Sequence, residues 1–171
     1  MQAISATIVE QTSVWLNNMD DEAFIEKLID QIAEEQPFLF AYLVAMGEGD
    51  LNEDEHELLL FLGVEIWQMM SKGDQPLGQV SESHLDRLEQ SNMQVLESLS
   101  GESEAEFLQQ LYGMLEGYPQ PEVLRHVMEV ILEEETDVVR PSNRGIMIIF
   151  LKIVIDCLQE SAEKEAGNFF G

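Results

Sequence analysis

The residues of this chain whose types and spacing could do chemistry gather in EGDLNEDEHE, Glu48 to Glu57. Asp50, Asn52 and Asp54 alternate as the odd-numbered ligands of a calcium loop do, offering oxygen donors to a hard divalent cation. The pattern then departs from such a loop. Its sixth position is Glu55 rather than the glycine the turn needs, and its twelfth is Phe61 rather than a bidentate glutamate. What remains is weak divalent-cation binding at Asp50, Glu53 and Asp54. Against it stands a plainer reading, in which acids at a helix start are favoured by the positive end of the helix dipole.

Glu53 and His56 also form a Glu-x-x-His pair, the unit that carboxylate-bridged metal bundles use in duplicate. The second half of such a site would come from Glu122, His126 and Glu129, whose spacings of four and three do not repeat the motif. A metal-dependent helical-bundle enzyme using Glu53, His56, Glu122, His126 and Glu129 is therefore the alternative to a non-catalytic protein. No cofactor is expected, apart from a possible divalent cation. Over the stretch 48–57, the Glu-Gly-Asp turn ahead of a helix resembles that of tellurite-resistance-type helical domains, which implies a helical setting for this turn.

Other chemistry is sparse. His56, His84 and His126 are the only histidines and Cys157 the only cysteine, so no disulfide can form within the chain. There is no GxSxG, no glycine-rich phosphate loop, and no cysteine near a histidine. The serines and threonines stand mainly at breaks, where bonding to the backbone accounts for them.

The elements that must position these groups read as helices. RGIMIIFLKIVIDCL, Arg144 to Leu158, is almost wholly apolar, with Lys152 and Asp156 four apart on one narrow face. That is a core helix wrapped by neighbours. It is too long for a strand, and too short and too charged to cross a bilayer, which takes about 20 apolar residues. A second apolar run, Leu58 to Met70, predicts a partner lying beside it. Ahead of these, Ile4, Ile8, Trp15 and Leu16 mark the inner face of a first helix over 4–17. Phe24, Ile25, Leu28, Ile29 and Ile32 mark a second, capped by Asp20 or Asp21. Pro37 opens a third, and Asn52 with Glu55 caps a fourth, which Gly73 ends. Further helices follow from Ser81, over 104–116, over 122–135, and after Pro141 with Ser142 as its start signal.

The fold class is all-α, with about eight helices in one domain over 1–171. The halves resemble each other. EAFIEKLIDQIAEEQP lies on AEFLQQLYGMLEGYPQP, bringing Gln36-Pro37 onto Gln120-Pro121; LLLFLGVEI lies on MIIFLKIVI; and Glu10-Gln11 can be laid on Glu89-Gln90. These matches predict a tandem duplication of a four-helix unit, with pseudo-repeats over 4–73 and 81–164, forming one bundle or a short helical array. Lys152 and Asp156 fall on Gly63 and Trp67, so the polar stripes of the two core helices differ.

Charge sets the class of partner. Thirty-four acids face eight bases, for a net charge of −26. Such a surface repels phosphate backbones, which excludes nucleic acid as a partner unless the protein mimics it. It favours a basic protein or divalent cations, with a homodimer also possible; the plainer reading of the acidic surface is solubility. Met69, Met70, Met93, Met114 and Met128 are candidates for an adaptable groove that takes a helix, or simply for core. Glu133 to Glu135 with Asp137 form a second acidic cluster, at a helix end, and the terminal GNFFG is expected to dock its two phenylalanines. The start, MQAISATIVEQTS, lacks the basic segment and apolar run of a secretory signal, and a cytoplasmic location is expected. The function read from the sequence is an acidic helical interaction or adaptor protein that binds a basic or helical partner.

Overall fold

The computed structural model describes residues 1–99, 101, 103–133 and 137–170, the stretch 163–170 by its backbone alone. It is all-helical, with no β-strand among the described residues. Eight helices follow in order: α1 (Ala6–Asn17), α2 (Glu22–Glu35), α3 (Pro37–Ala45), α4 (Glu53–Ser71), α5 (Glu82–Leu99), α6 (Glu104–Met114), α7 (Pro121–Leu132) and α8 (Pro141–Phe170). Local chemistry sets their starts. The side chains of Ser5 and Asp21 accept from the N–H groups of Ile8 and Ala23 at the heads of α1 and α2. Asn52 with Glu55, and Ser103 with Glu106, bond reciprocally at the heads of α4 and α6. Helices α3, α7 and α8 each begin on a proline, whose preset φ and missing N–H suit that position.

Some bounds differ from those expected. Helix α6 stops at Met114 and α7 at Leu132, where Glu133 leaves the helix in extended conformation (ψ 113°). Glu134 and Glu135 lie outside the described residues. Helix α8 begins at Pro141, ahead of Ser142.

Helix α8 is the axis of the fold. It packs against α4, α5 and α7. From Met147 to Leu158 every side chain is buried except Lys152 and Asp156. The two apolar helices α4 and α8 lie against each other, as their composition requires: a helix apolar all round must be covered on all sides. Gly63 lets α3 approach α4, since a Cβ there would stand 2.6 Å from Leu43 Cδ2. The polar stripe of α8 is half-buried and bonded within the protein. Lys152 Nζ donates to Asn92 Oδ1 (2.7 Å) and Asp156 Oδ2 (2.8 Å), and Tyr118 donates its hydroxyl to Asp156 Oδ1 (2.5 Å). Burial, and next the Asp156 carboxylate, push the Tyr118 phenol well above its ordinary range, so it stays a donor. Burial, followed by the nearby Asp156 and Glu160 carboxylates, pushes the Cys157 thiol up to about 12, leaving it a small hydrophobe.

Two expectations about helix faces are corrected. The inner face of α1 is Val9, Thr12 and Leu16, with Ile8 packed against the core beside them, and it excludes Trp15, because α1 is wedged between α4 and α7. Trp15 is exposed, edge-on to Phe24, with the Lys72 ammonium 5.6 Å from its ring centre. Ile25 of α2 is also exposed. Of the two readings of the methionines, the core one holds: Met69, Met70 and Met128 are fully enclosed, and Met93 and Met114 pack against the same core. The expected docking of GNFFG lies outside the described side chains.

The two Gln-Pro junctions perform the same task in opposite halves. Gln36 and Gln120 share a conformation, φ/ψ near −131°/63° and −126°/65°, and both are buried. The Gln36 side chain donates to Gly78 O (2.8 Å) and accepts from Val80 N (2.9 Å). The Gln120 side chain donates to Gln2 O (3.1 Å) and accepts from Ile4 N (2.8 Å). Each half thus clamps the extended lead-in to the other half's first helix, with Ile4 and Val80 buried beside the clamps. These bonds align Ile4-Ser5 with Val80-Ser81, three residues away from the pairing of Glu10-Gln11 with Glu89-Gln90.

Candidate functional site

Helix α4 carries two buried glutamates, and they are treated very differently. Glu55, at its first turn, is fully enclosed. Its carboxylate accepts from Asn52 N (3.0 Å), from Arg140 N, Nε and Nη2 (3.0, 3.1 and 2.8 Å), and from Asn143 Nδ2 (3.1 Å). Burial is the largest single influence on this group and pushes its pKa up, but the bonds from Arg140, Asn52 and Asn143 together hold the carboxyl below its ordinary value. The same Arg140 and Asn143 also bond the Asp50 carbonyl (2.9 and 3.1 Å). This arrangement ties the 48–57 turn to the segment leading into α8. Glu55 and the Asp50 carbonyl, both oxygen donors a cation would want, are taken by the segment leading into α8, while Asp50, Glu53 and Asp54 project outward, exposed.

Glu65, in the fourth turn of α4, is 1 % exposed. Its Oε1 is hydrogen-bonded to Nε2 of His126 on α7, and its Oε2 has no hydrogen-bond partner among the described residues. No arginine or lysine among the described side chains is paired with it. Glu65 lines an open cleft of about 450 Å³ between α1, α4 and α7. Leu58, Phe61, Leu62, Val130 and Val138 form apolar walls, while Ser13, Asn17 and Glu133 add polar groups. His126 is also shared with a cleft of about 320 Å³ to its side, lined in part by Glu10, Glu122 and Glu129. It borders a third, of about 460 Å³, lined by the end of α7 and Tyr112 of α6. Beyond Phe61, an apolar groove of about 340 Å³ runs between α1, α2 and α4, past Ile25, Leu28, Leu60 and Val64.

The structure divides the residues singled out by spacing into two separate places. Glu122, His126 and Glu129 share the wall of one cleft. Glu53 and His56 sit at the far end of α4: His56 is nine residues before Glu65, about 13 Å along the axis. Among the described residues, no group of three or more His, Cys, Asp or Glu side chains is disposed to hold a metal ion. His84 lies elsewhere, its Nε2 3.8 Å from Glu160, which is paired with Arg87. Motif spacing singles out neither Glu65 nor Arg140. One signal did point to Glu65: it is the only charge from Leu58 to Ser71.

Electrostatics follow from where the few bases go. Of the seven basic side chains described, Arg87, Arg125, Arg140, Arg144 and Lys152 are ion-paired within the protein, leaving Lys27 and Lys72. Among the described residues lining the His126 clefts the one base is Arg125, bonded to Glu122. No described helix is long and apolar enough to cross a membrane. No protein-family model, curated protein or solved structure matches this chain.

Proposed function

We propose that the chain is a non-catalytic interaction module that docks a basic protein segment along the face formed by α1, α4 and α7. The observation that carries this reading is the set of clefts around His126: apolar walls, a buried glutamate within, and Glu10, Glu122, Glu129 and Glu133 around them with a single base among them. Apolar walls supply affinity through burial, while the acids steer a basic partner and reject acidic ones. The adjoining groove past Phe61 suits the apolar face of an amphipathic helix, so a basic helical segment is the partner that fits. The reciprocal Gln36 and Gln120 clamps support the companion reading, that the scaffold is a duplicated four-helix unit.

The test is a titration of isotope-labelled protein with a synthetic Leu/Lys amphipathic helical peptide, using a version with Glu for Lys as control. Backbone shifts should be confined to α1, α7 and the turns of α2 and α4 that face the clefts and the adjoining groove. Affinity should fall about tenfold or more between ~0.05 and ~0.5 M monovalent salt, as screening shortens the reach of the carboxylates. Shifts spread over the whole acidic surface, or confined to α5 and α6, would remove this reading.

A further inference from the structure

We infer that Glu65, seated beside His126, is the receptor for one alkyl-linked cationic head group: a lysine or arginine side chain projecting from the docked segment. This rests on the docking reading above and assigns it an anchor. Buried carboxylates are ordinarily saturated with donors, as Glu55 is on the same helix. Glu65 is equally enclosed, yet it has one bond, to His126, and its Oε2 is unmatched among the described residues. The cleft beside it joins apolar walls to this carboxylate. Leu58, Phe61 and Val130 would flank an aliphatic stem, with Glu65 meeting the charged head. A lysine or arginine has that construction, an apolar stem bearing a cationic tip. The imidazole of His126 holds Oε1, which leaves Oε2 to receive the incoming group. An anionic or purely apolar group would leave the carboxylate unsatisfied.

The probe is n-butylguanidinium, with neutral n-butylurea as its isostere, followed through the methyl signals of Leu58, Leu62 and Val130. The guanidinium should shift them saturably and the urea should not. Glu65→Gln keeps the shape and a bond to His126, and should weaken binding at least tenfold; the rim pair Glu129→Gln with Glu133→Gln should weaken it less. Equal binding of the two probes, or unchanged binding in Glu65→Gln, would overturn the assignment. If the Leu/Lys peptide still maps to α1 and α7 in that case, the docking reading survives and only the anchor falls. Spermidine binding more tightly than the peptide would give the cleft to a free polyamine and overturn it as well. Should Glu65→Gln fail to fold, Val130→Lys carries the test. Its ammonium enters the same cleft, so the unfolding midpoint should rise and butylguanidinium binding should disappear; a lowered midpoint counts against an unmet need at Glu65.

Discussion

At the scale of single residues, the protein is governed by how each buried carboxylate finds its donors. Glu55 joins the head of α4 to the head of α8, because Arg140 and Asn143 approach it from a segment more than eighty residues away. Its carboxyl is held below the ordinary 4.5. A depressed folded value means that the carboxylate stabilises the fold fully above its unfolded value and loses that contribution as pH falls through the folded one. The stability difference between wild type and Glu55→Gln, measured by urea denaturation, should therefore be constant above about pH 5 and shrink as pH drops below that. A difference independent of pH would show that the charge of Glu55 does not matter. Glu65 is the opposite case. Its oddity is visible in LLLFLGVEIWQMM, where it is the lone charge. Its partner His126 is not, since sixty-one residues separate them and nothing local ties the two together.

At the scale of elements, helix identity was legible because apolar spacing and cap residues act within a few residues of each other. Ser5, Asp21, Asn52 and Ser103 cap as their types imply. Which face each helix buries was less legible. Trp15 and Ile25 belong to apolar stripes and still end up exposed, because the neighbours of α1 and α2 cover other sides. The Gln-Pro junctions were visible as a repeated pair, but their clamping of residues 2–4 and 78–80 was not. Gln36→Ala orphans Val80 N–H and Gly78 C=O, and Gln120→Ala orphans Ile4 N–H and Gln2 C=O. Each substitution should cost about 2–4 kcal/mol, from two unmet backbone groups. Urea denaturation should show a lowered midpoint with an unchanged slope, because the same surface is exposed on unfolding. A cost within a few tenths of a kcal/mol would mean that water replaces the clamps.

At the scale of the whole molecule, −26 charges on 171 residues repel one another across the surface, while five of the described bases are spent on internal pairs. Repulsion among many exposed acids outweighs a handful of ion pairs, most of them with an exposed partner and worth little each. The thermal midpoint should therefore rise by several degrees as salt goes from ~0.02 to ~0.5 M, since the screening length contracts from tens of ångströms to a few. Scanning calorimetry across that series checks it, and a falling midpoint would mean that the ion pairs dominate. The same screening should weaken the docking of a basic segment, so fold and affinity respond to salt in opposite directions.

From composition and periodicity alone, the chain was bound to be helical, acidic and built around two apolar helices, because those properties follow from propensity and from the need to cover apolar surface. Even the half-buried polar stripe of Lys152 and Asp156 was written into the order of residues, as a spacing of four. Tertiary structure alone decided that Glu55 is filled while Glu65 has an unmatched oxygen among the described residues, that His126 meets Glu65 rather than Glu53 or His56, and that the methionines fill the core. Those outcomes depend on which segments distant in the chain are brought within hydrogen-bonding reach. A bond of 3 Å is a condition on three-dimensional packing, and no local pattern encodes it.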